Sequence, residues 1–116
     1  HIGGFTHKNK VYYNDILHAD ELIHSLLFRP PYGRLWFNQV KRLRKHNFRF
    51  ILWTKISFDY RPRMKKETCW KNVSKLKGGD IILFHDSLKA QNNMFYALER
   101  LLEVYTNKGF CFKTIE

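Results

Sequence analysis

Apolar positions recur at helical spacing in four windows of the chain, and shorter apolar runs sit between them. Positions 11–27 carry Ile16, Ala19, Ile23, Leu26 and Leu27 on one face, with Asp15, Asp20 and Glu21 opposite. That pattern predicts an amphipathic helix with Asn9 as its N-cap. Leu27-Phe28-Arg29 reads as a short strand stopped by Pro30-Pro31, with Tyr32-Gly33 as the turn. A second helix is expected from about Leu35 to Lys45, with Phe37, Val40 and Leu43 inward, ending at His46-Asn47. Phe48 to Thr54 reads as the next strand, and a loop rich in Asp, Pro and Arg runs from Ser57 to Lys65. A third helix, about Lys66 to Leu76, would bury Cys69 or Trp70, Val73 and Leu76 and stop at Gly78-Gly79.

The run from Asp80 to Phe84 is apolar apart from its first residue, follows a Gly-Gly-Asp turn signal and leads into His85-Asp86-Ser87. A run bounded in this way predicts a strand buried on both faces, as in a parallel sheet. A fourth helix, about Lys89 to Asn107, would place Met94, Leu98, Leu101, Leu102 and Tyr105 on one face. Phe110 to Thr114 would form the last strand. Helix and strand thus alternate, and the expected class is α/β, with parallel strands and helices packed outside them.

Length changes this picture little: 116 residues give room for one domain with one core. The chain begins at His1, and a piece of a longer protein is expected, which leaves any export signal open. No run reaches the ~20 apolar residues of a membrane span. Cys69 and Cys111 form no CxxC pair, and both are expected to be buried thiols. The net charge of +11 matters more. Lys and Arg cluster at 41–45 and 61–66, where a solvated helix face and a solvated loop are the expected settings. The other reading of that charge is a non-catalytic basic α/β module that binds an anionic polymer or nucleic acid.

Candidate chemistry lies at the ends of the expected strands, where α/β folds gather their active sites. His85 brings a group of near-neutral intrinsic pKa (~6.5 in reference peptides) to such an edge. Arg29, at an apolar strand end, calls for a carboxylate partner. Asp86 is adjacent to His85 but suits the N-cap region of the last helix, together with Ser87. Trp36 and Trp53 fit core or wall positions.

Three motifs fall on the strand ends in order: Arg29-Pro30-Pro31-Tyr32-Gly33, Ser57-Phe58-Asp59-Tyr60 and Leu83-Phe84-His85-Asp86. In them the chain resembles the C-terminal two-thirds of a polysaccharide deacetylase, the NodB-homology domain of carbohydrate esterase family 4. The resemblance covers essentially all of residues 1–116 and implies a single, N-terminally truncated catalytic domain, part of a distorted (β/α) barrel. It implies a metal-dependent hydrolase that removes N-acetyl groups from a polymer of the peptidoglycan or chitin type, with O-acetyl substrates as the variant. The family's T-F-D-D motif, source of the metal-binding and base Asp, is absent here, so the chain by itself is expected to be nearly inactive.

What the resemblance implies for individual residues is specific. His85 would be the general acid that protonates the leaving amine, and the Tyr32 backbone amide would hold the oxyanion. Arg29 would orient the catalytic Asp and would itself be positioned by the motif containing Asp59. Asp59 and Tyr60 would face the substrate, with Tyr60 standing where the family has Trp, and Leu83 would line the acetyl pocket. His1 would be the second histidine of the metal-binding H-x-x-x-H, in preference to His7, because it leaves a normal loop before the first helix. The ion is a divalent metal, zinc being the favoured one. A polysaccharide is the expected partner, with no nucleic acid, and an extracytoplasmic or cell-envelope setting follows from the family.

Overall fold

The protein is described from a computed structural model covering residues 2–115, in which His1, the expected metal ligand, lies outside the described residues. The chain forms two compact units, one through Leu52 and one from Trp53 to Ile115.

In the first unit, α1 (Asn9–Ile23) is followed by β1 (Leu27–Phe28), a 3-10 turn (Pro31–Gly33), α2 (Phe37–Lys45) and β2 (Arg49–Phe50). β1 and β2 pair in parallel, Leu27 opposite Arg49 and Phe28 opposite Phe50. The core gathers Tyr12, Tyr13, Ile16, Phe28, Leu43 and Phe48, with Phe28 edge-on to Tyr12, Phe48 and Phe50.

Several sequence expectations shift here. The buried face of α1 lies one turn nearer its start, and Ile23 is exposed. Asn9 is the first residue of α1, and Lys8 is its N-cap. The Asn9 side chain is taken up by Gln39, which also donates to the Gly4 carbonyl and accepts from the Trp36 N–H. With all its polar groups met, Gln39 is fully buried, while the expected core residue Phe37 is 85% exposed. Trp36 is also more than half exposed and lies against Phe5.

The Tyr12 hydroxyl is buried without a hydrogen-bond partner among the described residues. Burial, with help from nearby Asp15, pushes this phenol up to about 12. Because the unfolded phenol ionises near its ordinary value of about 10, folding stability is intact below that pH and is lost as pH climbs towards 12. Tyr12→Phe is expected to be neutral or stabilising at pH 7, since it removes an unpaired buried hydroxyl worth about 1–3 kcal/mol of desolvation. It should also flatten the alkaline limb in thermal melts between pH 9 and 12. A loss of several kcal/mol at pH 7 would show that the hydroxyl has a partner.

In the second unit, β3 (Lys55–Ile56), α3 (Lys66–Val73), β4 (Ile82–Leu83) and α4 (Gln91–Asn107) follow one another. β3 and β4 pair in parallel, Lys55 opposite Ile82 and Ile56 opposite Leu83. Val73, Leu101 and Tyr105 form the core, joined by Trp70, Ile82, Phe84 and Phe110. The Tyr105 hydroxyl ties down the end of α3, donating to the Ser74 carbonyl and accepting from the Leu76 N–H.

The strands are shorter than the apolar runs suggest. The expected strand over Phe48–Thr54 contributes only Arg49–Phe50, and β4 pairs instead with Lys55–Ile56. β4 itself is half-buried rather than sealed on both faces. Phe110–Thr114 forms no strand, Leu102 is exposed, and Ala97 takes a core place on α4. Cys69 is buried as expected, but Cys111 is exposed. Among the described residues the strands make two parallel pairs without a closed barrel. No helix of the described chain is long and apolar enough to cross a membrane.

Candidate active site

The second unit builds a constellation around a buried carboxylate. Immediately after β3, Ser57 donates from both its N–H and its hydroxyl to the Leu83 carbonyl, at 3.1 and 3.0 Å, and so extends the β3–β4 ladder. Phe58 then takes a left-handed conformation, φ 57°. A non-glycine residue there costs about 1–2 kcal/mol. The turn points Asp59 inward, where it is fully buried.

Three donors meet the Asp59 carboxylate. Oδ2 accepts the His85 backbone N–H at 2.8 Å, and Oδ1 accepts the Tyr60 N–H at 3.1 Å. Oδ1 also lies 2.7 Å from Nδ1 of the His85 ring. An ionised carboxylate only accepts, so Nδ1 carries the hydrogen of that bond and, in the neutral ring, Nε2 is left as the free acceptor. Backbone and ring of His85 are thus gripped by the two oxygens of one side chain. The His85 side chain is 34% exposed, so a buried anchor holds an imidazole that still reaches solvent.

Around this pair the packing is specific. The Tyr60 ring lies 4.3 Å from the His85 ring, centroid to centroid, and is half-buried. Asn93 of α4 donates to the carbonyls of both Asp59 and Met64, tying the turn to the loop that follows it. Asn72 of α3 donates to the Ser57 carbonyl. Cys69 lies under the turn, where burial and the Asp59 charge push its thiol up to about 11, so it stays a protonated packing group at neutral pH.

Each expected site residue can now be located. Asp59, Tyr60, Leu83 and His85 come together in the second unit, and Leu83 is half-buried at the end of β4. Asp59, expected to face substrate, is instead sealed from solvent beneath His85, because its oxygens are committed to three donors. Asp86 is exposed and caps nothing, since α4 starts at Gln91 with Ala90 as its cap residue. Ser57, Asn72 and Asn93 are site residues that the strand pattern did not single out. A Ser-x-Asp after one strand and a His after its parallel neighbour is the signal that could have joined Asp59 to His85.

Arg29 and Tyr32 belong to the first unit, on the segment leaving β1. The Arg29 side chain is exposed, and among the described residues its Nε donates to the Ile51 carbonyl at 3.4 Å and it forms no ion pair. Tyr32 has φ 57° and is 87% exposed. Gly33 N–H bonds the Pro30 carbonyl and Arg34 N–H bonds that of Pro31, while the Tyr32 N–H between them has no acceptor among the described residues. A rigid Pro-Pro turn therefore presents one unspent backbone donor.

The described residues contain no group of three or more His, Cys, Asp and Glu side chains that could hold a metal ion. The ligand set implied by the sequence resemblance therefore does not fit these residues alone.

No family model and no curated protein sequence matches the chain. Solved structures do. A peptidoglycan N-acetylglucosamine deacetylase, in complex with 4-naphthalen-1-yl-N-oxidanyl-benzamide, matches 99% of the chain with TM-score 0.87 and 24% identity. A family 4 carbohydrate esterase from Streptomyces lividans, in complex with acetate, matches 78% with TM-score 0.64 and 29% identity. The chain spans 57% of the first of those proteins and 45% of the second. Its helices and parallel strands thus carry the NodB-like fold of the polysaccharide deacetylases.

Proposed function

We propose that this chain is the C-terminal part of the catalytic domain of a polysaccharide deacetylase. Its substrate would be an N-acetylglucosamine polymer of the peptidoglycan or chitin type, met outside the cytoplasm. The observation that carries this reading is the Asp59–His85 pair at the end of β4, a buried carboxylate holding a solvent-reaching imidazole at 2.7 Å. The fold shared with two deacetylases supports it.

Each residue then has a task. As the resemblance implies, the Tyr32 N–H, otherwise unspent, donates to the acetamide oxygen as negative charge develops there. His85, protonated, delivers the Nε2 proton to the departing amine while Nδ1–H stays bonded to Asp59. Asp59 is a positioning residue that fixes the ring's orientation. Tyr60 offers a flat wall to a sugar ring, and Leu83 lines the space for the acetyl methyl. Arg29 pairs with the base Asp that the family carries in its T-F-D-D motif. The divalent ion of the family would take its ligands from that motif and from H-x-x-x-H, with His1 as the second histidine.

The test is acetate release from an N-acetylglucosamine oligomer and from acetylated xylan by the full-length protein that contains this chain. Release from the oligomer is expected. No release from either substrate would overturn the reading, and release from xylan alone would make it an O-deacetylase.

A further inference from the structure

We infer that the segment following Tyr60 selects an anionic polymer, an N-acetylated glycan bearing carboxylate or sulfate groups near the reacting sugar. The inference rests on the proposed function for the location of that sugar. Arg61, Pro62, Arg63, Met64, Lys65 and Thr68 line a shallow groove of about 620 Å³. Arg61, Arg63 and Lys65 are exposed, and none of them forms an ion pair among the described residues. Three cations within five residues repel one another unless an anion lies between them, so the groove is complementary to negative charge.

The groove is mechanically continuous with the site. Asn93 holds the Met64 carbonyl at its floor and the Asp59 carbonyl at the site with the same amide nitrogen, at 3.0 and 3.3 Å. Tyr60, against His85, directly precedes Arg61, and Lys89 reaches over the Tyr60 ring at 5.9 Å. A glycan with its acetyl at His85 would therefore run its neighbouring residues past these cations.

A nucleic acid fits less well. Single strands are held by aromatic faces free to stack on bases, and here the Phe58 face is covered by the Arg61 guanidinium at 4.0 Å. The chain's net charge of +11 suits a polyanionic partner in general, and the groove puts part of that charge beside the chemistry.

The experiment measures binding of fluorescent hyaluronan and chondroitin sulfate oligosaccharides to the full-length protein over a salt series. Neutral chitin oligomers and a single-stranded RNA serve as comparisons. Affinity for the anionic glycans is expected to exceed that for chitin oligomers at low salt and to fall steeply as salt rises. Arg61→Gln/Arg63→Gln/Lys65→Gln should weaken it about tenfold or more at low salt, with an unchanged melting temperature. Unsulfated chondroitin, which keeps the glucuronate carboxylates of chondroitin sulfate, separates carboxylate from sulfate as the anion read. Because Arg61 stacks on Phe58, the double variant Arg63→Gln/Lys65→Gln repeats the test with that stack intact. Equal affinity of wild type and variants overturns the inference, and tighter binding of the RNA overturns it in favour of nucleic acid. Acetate release from the chitin oligomer is read in the same samples. No acetate from the chitin oligomer, from acetylated xylan or from hyaluronan, beside intact anionic binding, removes the proposed function and leaves the groove's ligand standing.

Discussion

Asp59→Asn in the full-length protein is expected to lower deacetylation turnover by about 10²–10⁴-fold, the usual worth of a positioned acid–base group. The amide is nearly the same size as the carboxylate but has one acceptor where the native residue has two. With the amide NH₂ at the Oδ1 site it opposes the Tyr60 N–H and can bond His85 Nδ1 only if the ring switches tautomer. With the NH₂ at the Oδ2 site it faces the His85 backbone N–H, donor against donor. Either placement disturbs the grip on His85, and a buried donor left unmet costs about 1–3 kcal/mol of stability. Steady-state turnover of the oligomer, with nitrogen chemical shifts of the His85 ring to read the tautomer, checks both parts. Near-native turnover with a switched tautomer would remove Asp59 from the positioning role.

His85→Ala should cost at least as much, about 10²–10⁴-fold in kcat, with KM little changed. A general acid acts on charge that develops only in the transition state, so its loss spares ground-state affinity. The two variants also test each other. If Asp59 works through the imidazole, adding Asp59→Asn to His85→Ala should lower kcat no further, a strong departure from additivity. A double variant slower than His85→Ala by the full Asp59→Asn factor would give Asp59 an independent task. Near-full turnover of His85→Ala would leave His85 a structural histidine.

The helices were legible because their apolar spacing is regular, and α1 to α4 each lie within a few residues of their expected spans. Where local pattern and tertiary pairing disagreed, pairing won. Phe48–Thr54 has the stronger strand composition, yet the partner of β4 is Lys55–Ile56, which has no apolar run at all. Gln39 reads as a surface residue and Phe37 as core. The reverse holds because three partners in the first unit satisfy the amide, two of them about 30 or more positions away in sequence. At the site, the importance of His85 could be read from its place after an apolar run. Its pairing with Asp59 was less legible, because the two lie 26 positions apart and meet through the parallel register of β3 and β4. Asp86, the immediate neighbour that the pattern assigned to the N-cap region of the last helix, is turned out to solvent.

That register has a consequence for how the protein tolerates changes of length. From Ile56 opposite Leu83, the ladder passes to Ser57 on the Leu83 carbonyl and then to Asp59 on the His85 N–H, each contact spaced by chain length alone. One residue inserted between Ile56 and Asp59, or between Leu83 and His85, would slide carboxylate past imidazole. The buried Asp59 would lose its donors and, in the second case, Phe84 its place against the core of the second unit, so such a protein would lose stability along with turnover. The two short tracts behave as a ruler: relatives of this chain can exchange many side chains along them, but not the count of residues.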